Sequence, residues 1–130
     1  MTTALWCLFF AALLHFVTKI PLTKAQNAAG GYNNVNPREQ QNALEGWGQR
    51  ALAAHQNQIE SFPLFAAGVI VASSFGADEC TAAILALVYC VARVAFLICY
   101  LKDISTLRSI VWIASYFASL ALLTSPAWSA

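Results

Sequence analysis

Arg93 stands inside an apolar run, Thr81 to Leu101, whose 21 residues carry no other charge. As a helix rising about 1.5 Å per residue, the run crosses the roughly 30 Å hydrocarbon layer of a bilayer. Arg93 falls about 12 Å of helix inside its nearer end, close to the reach of a snorkelling guanidinium. A charge at that depth calls for a buried partner or a water-filled cleft. The residues able to share such a site are Asn57 and Glu60 at the start of the second apolar run, Tyr100 in the third and Arg108 at the start of the fourth. At helical spacing Tyr89, Arg93, Phe96 and Tyr100 make one stripe, and Arg50, Asn57 and Glu60 share a face in the same way. An ion pair between Glu60 and Arg93 is the simplest structural expectation; a polar cleft for a charged ligand is the functional one. His15 and His55 lack neighbours at metal-ligand spacing and read as packing or interfacial residues.

The elements that must position these residues are membrane helices. Of 130 residues, 59% are apolar and only 10% charged, too hydrophobic for an ordinary soluble domain and too short for more than one membrane unit. Apolar runs extend over about 3–22, 62–77, 81–101 and 107–123, which predicts an all-α, four-transmembrane-helix bundle in a single domain, 1–130. The second run is too short to span as written, so its helix starts near Gln58, which sets Glu60 at the membrane rim. Arg38 to Gln58 then reads as a polar helix feeding that span, within a connection of about 23–57 whose Gly30-Gly31 and Asn33-Asn34 pairs form turns. Pro63 removes a backbone hydrogen bond and is expected to kink the second span or open it beside Asn57 and Glu60.

A net charge of +1 leaves no basic surface for nucleic acid. Cys7, Cys80, Cys90 and Cys99 show no CxxC and no ligand spacing, and read as free thiols. The first run lacks a basic start and carries His15 and Lys19 at its inner end, unlike a signal peptide. Lys24, Arg38 and Arg50 lie in the first connection, with Lys19 just before it, while Lys102 and Arg108 flank the third. The positive-inside rule therefore puts both termini away from the cytoplasm, and the polar constellation at the cytoplasmic end. In a bacterium this is the inner membrane.

The run Arg50-Ala-Leu-Ala-Ala-His55-Gln-Asn57-Gln-Ile-Glu60-Ser-Phe62-Pro63 resembles the family pattern of the membrane-associated proteins in eicosanoid and glutathione metabolism, the MAPEG family: an arginine, then Asn-x-x-Glu, then an aromatic-proline entry into the second helix. Ala92-Arg93-Val94 with Tyr100 is similar to the family's arginine and tyrosine in helix three, and Arg108-Ser109 to the arginine that opens helix four. The resemblance covers essentially the whole chain. It implies a homotrimer that holds glutathione between subunits near the cytoplasmic side, as co-substrate for transfer to, or peroxide reduction of, lipophilic small molecules arriving from the lipid bilayer. It also implies that Arg50, Asn57, Glu60, Arg93 and Tyr100 bind glutathione, while Arg108 stabilises its thiolate as the catalytic residue. The departures are Ala53, where many members carry an arginine, Phe96, where a tyrosine or histidine is common, and the eight-residue step from Tyr100 to Arg108. The family also holds members that bind lipid without catalysis, so a lipid-binding or scaffold role is the alternative. A small multidrug exporter would need an acidic residue deep in the first helix, where this chain has none.

Overall fold

A computed structural model describes residues 1–130 as five α-helices and one closing 3-10 turn. Helix α1, Thr3–Ala28, starts at Thr2, whose hydroxyl oxygen accepts from the Leu5 amide at 3.4 Å. It runs on past Leu22, where the apolar run stops, and ends only where Gly30 and Gly31 take φ of 100° and 98°. Its 26 residues make about 39 Å of helix, longer than the hydrocarbon layer, so its last turns stand clear of it.

The connection is not one polar helix. Helix α2, Pro37–Asn42, is only 6 residues long, and the chain breaks before α3, Trp47–Ser74, at Gly46 with φ of 57°. Side-chain amides hold this connection to α1. Gln40 Nε2 donates to the carbonyls of Gln26 and Gly31 at 3.1 and 2.7 Å, and Gln26 Nε2 donates to Gln40 Oε1 at 3.1 Å. Helix α3 runs through Pro63 without a break in its helical assignment, so the local opening expected there is not seen.

Helix α4, Glu79–Leu101, is capped by Asp78, whose Oδ2 accepts from the Thr81 amide and hydroxyl, each at 2.8 Å. Those bonds hold the Asp78 carboxyl below the usual carboxylate range. Helix α5, Ser105–Thr124, follows a three-residue turn and ends in the 3-10 turn Ser125–Ala127. Helix α3 packs against α1, α4 and α5, so the most polar of the four long helices has the most protein around it. Small residues make this possible: Ala4, Ala11, Ala72, Ala82, Ala86 and Ala118 form much of the core, around the larger Phe65 and Tyr89. Helices α1, α4 and the segment Ser105–Ala127 are each long and apolar enough to cross a membrane. Helix α3 is long enough but carries a polar first half.

Candidate functional site

Arg93 is only 2% exposed, on the face of α4 that also buries Tyr89 and Phe96. Its Nε donates to Gln58 Oε1 at 2.9 Å, and its Nη2 to Asn57 Oδ1 at 2.8 Å. The Phe96 ring lies under the guanidinium, 4.3 Å from centroid to Cζ. Nη1 has no partner, and neither has Gln58 Nε2. The expected Glu60–Arg93 pair is therefore absent, and helix geometry gives the reason. Gln58 and Glu60 are two residues apart, about 200° around the helix, so one cannot face α4 without the other turning away. Nearby, the Tyr89 hydroxyl bonds Ser61 Oγ at 3.0 Å and the Tyr89 ring stacks on Phe65.

Glu60 instead faces α5. The two helices meet closely at Gly68, where an added Cβ would lie 2.9 Å from both Leu122 Cβ and the Ser119 carbonyl oxygen. Ser115 and Ser119 fold their hydroxyls back onto the Trp112 and Ser115 carbonyls, at 2.8 and 2.9 Å, and so present a small, satisfied surface. Asn57 lies three turns from Gly68 toward the other end of α3, about 16 Å along the helix. There the helices leave two adjoining cavities.

One, of about 150 Å³, is lined by Asn57, Glu60, Ser61, Trp112, Ser115 and Tyr116 among others. The other, of about 300 Å³, is lined by Asn57, Phe96, Tyr100, Arg108, Ser109 and Trp112 among others. Asn57 and Trp112 belong to both, so the pair makes one divided cleft. Arg108 sits over the Tyr100 ring, 4.5 Å from centroid to Cζ. That contact fixes a guanidinium at the cavity wall while leaving its N–H groups free for an anion.

Of the six residues singled out from the sequence, Asn57, Glu60, Tyr100 and Arg108 line this cleft directly. Arg93 stands behind it, holding Asn57. Arg50 lines neither cavity, and its buried Nε lacks a partner. Sequence reasoning missed Gln58 and the α5 wall of Trp112, Ser115 and Tyr116. Their signal was present: Arg108, Trp112, Ser115 and Ser119 are spaced four, three and four apart, one face of a helix.

Helices long and apolar enough to cross a membrane, packed around a cleft with a carboxylate, a guanidinium and an amide at one end, define an integral membrane protein. The particular family is the MAPEG family, whose model matches residues 3–128, and the chain belongs to it. No curated protein matches the chain.

Proposed function

We propose that the protein is a glutathione-dependent transferase or peroxidase that acts on lipophilic electrophiles, working as a homotrimer of four-span subunits with both termini away from the cytoplasm. The observation that carries this reading is the α3–α5 cleft, in which Arg108, Tyr100, Asn57 and Glu60 line adjoining cavities at one end of the bundle. Glutathione bears an ammonium, two carboxylates, two amides and a thiol. Glu60 suits the ammonium, Asn57 an amide, and Arg108 the sulfur. A free thiol has a pKa of about 8.5, and a guanidinium beside it favours the thiolate, which is the nucleophile. In the transferase step the thiol proton leaves to water and the thiolate sulfur bonds to an electrophilic carbon, while that carbon's bond to its leaving group breaks and the group departs with the electron pair. Arg93 positions Asn57, and Phe96 joins Arg93 to the cavity wall.

Two features support assembly. Glu60 is exposed on the single chain, and a carboxylate at the bilayer rim is costly against lipid, so another subunit or water must cover it. Arg108 is the sole cation lining the cleft and is assigned to the sulfur, so both ligand carboxylates need cations from a neighbour.

The test is glutathione binding by detergent-purified protein, followed as thiolate absorbance in the ultraviolet. Arg108→Ala should keep most of the binding, lose the thiolate signal and slow turnover, because the contact is felt chiefly by charged sulfur. Loss of one charge-assisted contact of about 1.5 to 3 kcal/mol corresponds to roughly tenfold to more than hundredfold in rate. Wild type that binds glutathione without forming thiolate would replace the enzyme by a binder.

A non-catalytic lipid-binding role is the second reading, and a different observation favours it. An apolar groove of about 640 Å³ between α1 and α4, walled by Trp6, Phe10, Leu87, Val91 and Ile98 among others, suits an acyl chain and has almost no polar group.

A further inference from the structure

We propose that Lys19, Arg38 and His55 form a second site, separate from the α3–α5 cleft, that binds a phosphate group at the rim of the membrane. Three helices each bring one basic side chain to a cavity of about 210 Å³: Lys19 from α1, Arg38 from α2 and His55 from α3. Gln41 and Gln56 add amide donors. No carboxylate lines the cavity, so the cations meet no counter-charge inside it. Cations held together without an acid define an anion site.

The charges that face His55 are all positive. Lys19 and His15 act from α1 and Arg38 from α2, and the His15 ring packs edge-on at 5.6 Å between centroids. Burial chiefly, and then these charges, lower the His55 pKa, so a bound anion would relieve the second cause. The hydroxyl oxygen of Thr18 lies 3.1 Å from the His15 carbonyl oxygen and 2.9 Å from His55 Nδ1. That contact orients the His55 ring through Nδ1 and leaves Nε2 for an anion.

Placement selects phosphate. Ile59, about one turn beyond His55 toward the apolar half of α3, lines the same cavity, so the cations stand at headgroup level with an apolar side chain beneath them. A phosphodiester of an anionic phospholipid and free inorganic phosphate share this chemistry. Neither Lys19 nor Arg38 lines the α3–α5 cleft of its own chain, and glutathione is therefore titrated beside phosphate to separate the two sites.

The experiment follows the ring signals of the two histidines, by NMR of histidine-labelled full-length protein in an uncharged detergent, with His15→Gln to assign His55. Inorganic phosphate is titrated in one arm and short-chain phosphatidylglycerol in another, with acetate and glutathione as comparison anions. The expected result is that phosphate or phosphatidylglycerol moves the His55 signals and raises its titration midpoint. The double variant Lys19→Gln/Arg38→Gln should weaken that response at least about tenfold, since two charge-assisted contacts are lost. A response to phosphatidylglycerol alone assigns a lipid headgroup, and one to inorganic phosphate alone assigns the free ion. A His55 unmoved by either, moved equally by acetate or glutathione, or unchanged in its response by the double variant would overturn the site. An unchanged helical circular dichroism spectrum and thermal midpoint show that the variant is folded.

Discussion

Arg93 satisfies a deep charge with amides in place of a counter-ion. Asn57 and Gln58 supply two carbonyl oxygens and Phe96 a ring face, so the guanidinium keeps its charge while Glu60 stays free for the cleft. Reading the sequence brought Arg93 and Asn57 together, but matched the wrong partner to the charge. Opposite sign suggested Glu60, whereas the angular position of Gln58 on α3 decided the contact. The energetic consequence is testable. Arg93→Leu leaves the buried Gln58 carbonyl oxygen without its partner, at about 1 to 3 kcal/mol, so it should couple strongly to Gln58→Leu in a double-mutant cycle of detergent stability. With Glu60→Gln it should be additive within about 0.5 kcal/mol. Coupling to Glu60 instead would mean that the ion pair forms in the membrane after all. His55 gives a second test at this scale. Its lowered pKa means that the unfolded chain, titrating near 6.5, takes up a proton before the folded one does. Stability should therefore fall as pH drops below about 6.5, and the loss should be complete once the pH passes the folded midpoint. His55→Gln should remove that part of the slope, measured as the thermal midpoint between about pH 7 and 5.

Among the elements, the α3–α5 pair decides whether there is a cleft at all. The apolar runs of α1, α4 and α5 were legible because length and hydropathy act locally on each of them. The bounds of α1 and α3 were less so, because polar residues extend a helix freely once tertiary contacts hold them, as the glutamine contacts of Gln26 and Gln40 do beyond Leu22. The break at Gly46 was missed for a related reason: a single glycine weakens a helix, but only the packing of Leu44 and Gly48 on Ala25 makes the turn there worthwhile. Gly68 carries the clearest expectation. Alanine is better than glycine in a helix by about 1 kcal/mol, but its Cβ would meet Leu122 Cβ and the Ser119 carbonyl at 2.9 Å. Neither is the far end of a flexible side chain. Overpacking of about 1 to 3 kcal/mol should win, so Gly68→Ala should lower thermal stability in detergent and loosen glutathione binding by spreading the cleft. A stabilised Gly68→Ala would show that α3 and α5 can slide apart without loss.

For the whole molecule the open question is how α3 meets the bilayer. Three helices qualify as spans by composition, and α3 packs against all three of them. Gln58, Asn57 and Ser61 bond to side chains of α4, while Glu60 lines the cavity against α5 and stays exposed on the single chain. The low hydropathy of α3 thus goes with polar contacts to its neighbours, which a per-helix average does not report. The count of spans has a direct readout, because parity fixes the sides of the termini. Four crossings put Met1 and Ala130 on the same side, with the Gly30–Gly31 turn opposite; three crossings, with α3 at the surface, put the termini on opposite sides. In a variant whose native cysteines are replaced, single cysteines at Thr2, Asn33 and Ser129 should be labelled by an impermeant reagent as two against one. Thr2 and Ser129 should react from outside the cytoplasm, and Asn33 only after the membrane is opened, since the basic residues cluster in its connection. Opposite labelling of Thr2 and Ser129 would remove α3 from the membrane, and with it the cleft that holds Glu60 and Arg108 together.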